Sequence, residues 1–194
     1  MTTANKITIL RILLVPFFVV HLLYYGSSGE ELHRFLAVIS FAIAAISDGV
    51  DGYIARRYNQ RSELGALLDP LADKLLLVLG LVLLSLDHRP YLEQVPLWLV
   101  ATVFSRDLIV LIGLVVIHYS CGKIVVRPHF IGKAATVFQM ITVFWALLKW
   151  ETDWLHFWSV GAAVCTGVSG LFYVRDGMRQ LSESPSSSAT TKQS

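Results

Sequence analysis

Apolar runs of about 20 residues constrain this chain more than any other feature, because one such run crosses the hydrocarbon core of a bilayer as a helix. Six stand at residues 7–25, 35–58, 64–86, 95–119, 130–150 and 154–174. The connectors YGSSGEELHR, NQRSE, DHRPYLEQ, SCGKIVVRPH and KWETD are short. The sequence therefore predicts an all-α integral membrane protein, a six-transmembrane-helix bundle with no soluble module attached. Charge agrees: 15% of residues are Asp, Glu, Lys or Arg, against roughly 25% in soluble domains. A net charge of +2 gives no reason to expect nucleic acid as a partner. Cys121 and Cys165 form no CxxC, so neither a disulfide framework nor a zinc site is indicated. The first run is too long for a signal-peptide core and is read as a retained helix. The Ser/Thr-rich residues 180–194 are expected to be a disordered tail behind a membrane domain of residues 1–179.

Basic residues in the short loops set the expected orientation. With the N-terminus in the cytoplasm, that side receives Lys6, Arg56, Arg57, Arg61, Lys123, Arg127, Arg175, Arg179 and Lys192, and the other only Arg34, Arg89 and Lys149. A bacterial inner membrane is the expected location.

The stretch DGVDGYIARRYNQRSELGALLDPLADK is out of place in such a chain. Asp48, Asp51 and Ala55 lie at i, i+3 and i+7, one face of a helix; Asp69 and Asp73 lie at i and i+4 on the next. Two antiparallel helices joined by a short basic turn bring these faces together within a few turns of the cytoplasmic surface, in a polar cavity open to that side. One acid at a membrane helix centre costs about 2.5–3.5 kcal/mol on insertion scales, and clustering like charges adds to it. Bound divalent cations reverse that repulsion. An all-oxygen ligand set with no Cys or His favours Mg²⁺, Mn²⁺ or Ca²⁺ over zinc. Gly52, Ala55 and Gly65 leave room for a bulky ligand, and Arg56, Arg57 and Arg61 offer donors to phosphate oxygens. The ordinary reading is helix packing for the small residues and positive-inside anchoring for Arg57 and Arg61. Caps do not explain four aspartates on two converging faces.

The pattern Asp48-x2-Asp51-Gly52-x2-Ala55-Arg56-x8-Gly65-x3-Asp69-x3-Asp73 resembles, position for position, the signature of the CDP-alcohol phosphatidyltransferases. The resemblance implies a dimeric six-helix membrane enzyme of phospholipid biosynthesis that uses Mg²⁺ or Mn²⁺, two ions held by Asp48, Asp51, Asp69 and Asp73. It implies a CDP-linked lipid donor over Gly52, Ala55, Arg56 and Gly65, with Asp73 as the general base toward an acceptor hydroxyl and CMP as the leaving group.

Asn5-x2-Thr8-x2-Arg11, SRDLIVLIG and GKAATVFQM are similar to stretches of the phosphatidylglycerophosphate and cardiolipin synthase branches. Asn5 and Thr8 are then expected at the CDP-lipid, and Arg11, Arg106, Lys133 and Arg175 at an acceptor phosphate. Arg106 is the strongest of these, since an arginine deep in an apolar run needs a cavity or an anionic partner. Its neighbour Asp107 is expected to point elsewhere, because i and i+1 share no helix face. Lys133 and Arg175 also read as interfacial anchors. Both branches take an acceptor with a phosphate and a glycerol hydroxyl, so a basic pocket does not separate them. sn-Glycerol 3-phosphate is the first expectation and phosphatidylglycerol, giving cardiolipin, the alternative. A divalent-cation transporter is the rival of another class; the outward helix halves, almost free of ionisable groups, offer it no continuous route. The six histidines show no ligand spacing, and the five tryptophans fall mostly near expected membrane edges.

Overall fold

The computed structural model describes residues 3–58, 63–86, 91–121 and 130–182; the side chains of residues 3–8, 48–58, 63–73, 114, 118–121 and 180–182 lie outside that description. The described chain is six helices: α1 Thr3–Ser28, α2 Glu31–Tyr58, α3 Glu63–Ser85, α4 Leu97–Cys121, α5 Phe130–Leu147 and α6 Thr152–Ser182. The protein is an all-helical integral membrane protein, and each expected span corresponds to one helix. Among the described residues, four stretches are apolar and long enough to cross a bilayer, within α1, α4, α5 and α6.

α1 supplies the middle of the bundle. Arg11, Val15, Phe18, Leu22 and Tyr25 recur at helical spacing and are buried, while Leu13, Phe17, Val20 and Tyr24 on other faces are exposed. Phe18 packs at a tilt against Phe41 of α2, and Phe41 in turn against Phe144 of α5. α3 approaches α5 closely at Gly80, where a Cβ would lie 3.3 Å from Val143. α6 packs most extensively on α5 and then α4. A buried hydrogen bond from Gln139 Nε2 to Thr166 Oγ1, 2.9 Å, fixes the α5–α6 register.

The α1–α2, α3–α4 and α5–α6 connections gather at one end. Gly29 leaves α1 with φ 69° and its N–H bonded to the Tyr25 carbonyl, and an added Cβ would collide with the Tyr91 ring. Gly29→Ala is expected to destabilise the protein by about 2–4 kcal/mol, from left-handed strain plus overpacking. A thermal midpoint in detergent measures it. Adding Tyr91→Ala should return the steric part and leave the backbone part.

α5 stops three residues before the end of its apolar run, because Lys149 takes φ 56°. Lys149 N bonds Ala146 O and Trp150 N bonds Trp145 O, a Schellman closure with lysine where glycine is usual. The Lys149 side chain offsets that strain: Nζ lies 3.0 Å from Glu31 Oε1 and over the Tyr25 ring. Arg34 holds Glu31 Oε2 and donates to the Leu147 carbonyl. The hydrogen bonds from Lys149 and then Arg34 hold the Glu31 carboxyl at about 2, against an ordinary 4.5. A depressed carboxyl contributes stability above its unfolded value and loses it as pH falls. The thermal midpoint is therefore expected to drop between about pH 4.5 and 2, and Glu31→Gln should flatten that part of the profile.

α6 continues past Val174 to Ser182, so the first three residues of the expected tail are helical. The remainder, 183–194, lies outside the described residues.

Candidate functional site

The four aspartates fall on α2 and α3, on either side of residues 59–62 in the sequence. Asp48 stands ten residues before the end of α2 and Asp73 ten residues after the start of α3. Asp51 and Asp69 stand seven and six residues from the same ends, so each acid has a partner at a similar height. α2 and α3 are in contact. The side chains of Asp48, Asp51, Gly52, Ala55, Arg56, Gly65, Asp69 and Asp73 lie outside the described residues, as do those of Asn5 and Thr8 near the start of α1. Among the described residues no group of three or more His, Cys, Asp or Glu is placed to hold a metal.

Arg11 is fully buried, on the α1 stripe that also carries Val15 and Phe18. Lys133, near the start of α5, and Arg175, in the last third of α6, are exposed. The described side chains instead converge on Arg106, the tenth residue of α4. At 1.5 Å per residue that is roughly 14 Å from the helix start. Its Nη1 lies 2.8 Å from Asp107 Oδ1, and its Nη2 donates to Ser169 Oγ of α6 at 3.2 Å. Its guanidinium carbon sits 5.4 Å from the Tyr173 ring centre. Asp107 does not point elsewhere, as adjacency on the helix suggested. An arginine is long enough to fold back along the backbone, which Cβ directions alone do not show.

Asp107 reaches further. Its Oδ2 lies 3.0 Å from Lys74 Nζ, on α3 directly after Asp73. Two cations and one carboxylate leave a net positive charge in this group. Arg106 Nε is buried without a hydrogen-bond acceptor among the described residues, so the guanidinium keeps capacity for an anion. Two glycines let the helices close around it. A Cβ on Gly170 would lie 3.3 Å from Arg106 Cγ, and one on Gly132 would lie 3.2 Å from Ser169 Oγ and 3.4 Å from Arg106 Nη2.

Sequence reading singles out Arg106 but not Lys74, Gly132, Ser169, Gly170 or Tyr173. A signal exists for one pair: Ser169 and Tyr173 sit four residues apart in α6, on one face of an otherwise apolar run. His21 and His33 also come together, Nδ1 to Nδ1 at 2.8 Å, at the far end of the bundle. Nothing in their spacing announces it, since they belong to different helices.

The family model described as CDP-alcohol phosphatidyltransferase matches residues 1–168. Proteins named CDP-diacylglycerol–glycerol-3-phosphate 3-phosphatidyltransferase from Escherichia coli, Shigella boydii and Shigella sonnei are each 32% identical over 173 residues, covering 87% of this chain and 90% of theirs. The aspartate pattern on α2 and α3, the helical membrane fold and this whole-length likeness agree: the chain belongs to the CDP-alcohol phosphatidyltransferase family.

Proposed function

We propose that this protein transfers a phosphatidyl group from CDP-diacylglycerol to sn-glycerol 3-phosphate and releases CMP. The observation that carries this reading is the likeness, over nearly the whole chain, to bacterial enzymes named for that reaction. The Arg106 group supports it: a partly buried guanidinium with a spare donor suits a small phosphorylated acceptor.

The roles follow from the residues. Asp73 takes the proton of the acceptor hydroxyl. The acceptor oxygen bonds to the β-phosphorus as the bond from that phosphorus to the bridging oxygen breaks, and CMP leaves with that electron pair. Arg106 holds the acceptor phosphate so that its hydroxyl approaches in line, and Arg11, Lys133 and Arg175 are the further cations proposed for it. Asn5, Thr8, Gly52, Ala55, Arg56 and Gly65 seat the CDP-lipid.

The carboxylate set Asp48, Asp51, Asp69 and Asp73 is all oxygen and fits hard divalent ions, two Mg²⁺ or Mn²⁺. Bound there, the ions would neutralise the diphosphate and stabilise the leaving group. The family resemblance supports a homodimer. The basic-residue bias supports an N-terminus and site facing the cytoplasm of a bacterial inner membrane.

The test is CMP release by the purified protein in detergent with CDP-diacylglycerol and Mg²⁺ or Mn²⁺, offered glycerol 3-phosphate or phosphatidylglycerol. Turnover with glycerol 3-phosphate is expected. Turnover with phosphatidylglycerol alone would move the enzyme to cardiolipin synthesis.

A further inference from the structure

We propose that Asp107 is a positioning residue for phosphatidyl transfer: its carboxylate aims Arg106 at the acceptor phosphate and ties that arginine to the α3 turn carrying Asp73. The inference rests on the reading of Arg106 given above and adds a residue to it.

The geometry assigns Asp107 two separate partners. One oxygen takes Arg106 Nη1 at 2.8 Å and the other takes Lys74 Nζ at 3.0 Å, so a single carboxylate spans α4 and α3. Arg106 and Asp107 each expose only 21% of their side chains, whereas Lys74 exposes 58%. The arginine end of the bridge is therefore the shielded one, where a charge-assisted hydrogen bond counts for more. Ser169 holds the other terminal nitrogen, and Gly132 and Gly170 let α5 and α6 approach the arginine closely.

A residue needed only to neutralise Arg106 in the membrane would not also have to reach α3. Lys74 adjoins Asp73 in the chain, so the bridge joins the acceptor-side cation to the segment that bears the base. Removing the negative charge leaves Arg106 and Lys74, both held by that carboxylate, as neighbouring like charges. The arginine then loses its aim while the aspartates of the hairpin keep their places.

Asp107→Asn keeps the shape and deletes the charge. It is expected to raise KM for glycerol 3-phosphate about tenfold, the equivalent of losing one hydrogen bond to a charged group. KM for CDP-diacylglycerol should not move, and kcat should change by less than about twofold, since neither donor seat nor base is touched. Asp107→Glu keeps the charge and shifts it by one methylene. It should fold as the parent does and raise acceptor KM about threefold, between parent and amide.

Arg106→Met, measured beside them, separates the two readings. An unchanged acceptor KM in Arg106→Met would overturn the phosphate pocket itself. A raised KM there, with parental values in both Asp107 variants, would overturn the positioning role alone. Proportional loss in kcat and both KM values, together with a lowered thermal midpoint in both Asp107 variants, would also overturn it, marking a structural residue.

Discussion

Asp73→Asn is expected to lower CMP release by about a thousandfold, within the range that one positioned general base contributes. The amide has the size of the acid and cannot take the acceptor proton. The fold should survive the change. α3 anchors itself through Leu76, Leu77, Leu81 and Leu84, all buried and all C-terminal to Lys74. The measurement is single-turnover CMP release at saturating glycerol 3-phosphate, with size exclusion and a thermal midpoint to show intact protein. Asp48→Asn provides the contrast. As a ligand without a proton-transfer role it should recover part of its rate when Mg²⁺ is raised, and Asp73→Asn should not. Parental turnover in Asp73→Asn would remove it as the base. Full recovery by metal would reduce it to a ligand.

The fold was legible because membrane helices are written in apolar length. Every apolar run became a helix, and the departures have local causes. α5 ends early because Lys149, with no glycine to signal it, takes the left-handed conformation and is held there by Glu31 and Tyr25. α6 runs late because the bundle end is not the helix end: Arg175, Asp176 and Arg179 stop the apolar run and continue the helix.

The candidate site was legible where chemistry is written in register. The acids on α2 and α3 have helical spacing and stand at similar distances along the sequence from the adjoining ends of the two helices. The Arg106 group was half legible. A charge in a span advertises itself through its cost, but its partners come from α3, α4, α5 and α6, and tertiary proximity leaves no mark in local spacing. Gly132 and Gly170 look like ordinary small packing residues until the guanidinium is seen beside them.

Arg106→Met is expected to raise KM for glycerol 3-phosphate by about a hundredfold, in the range for deleting one partner of a shielded charged contact. Methionine nearly matches the arginine stem in length and is at home in an apolar span, so insertion and packing between α4 and α6 should hold. Asp107 would retain Lys74 as its counter-ion at 3.0 Å, which avoids stranding a carboxylate in the bundle. The effect should therefore fall on acceptor binding. kcat at saturating acceptor is expected to change far less, and KM for CDP-diacylglycerol not at all. Arg106→Lys should lie between, about tenfold, because one ammonium on a shorter reach cannot serve Asp107 and Ser169 in the fixed fork of a guanidinium. Acceptor KM values from initial rates over a wide glycerol 3-phosphate range decide the matter. Parental KM in Arg106→Met would place the acceptor phosphate elsewhere, with the buried Arg11 of α1 as the next cation to test.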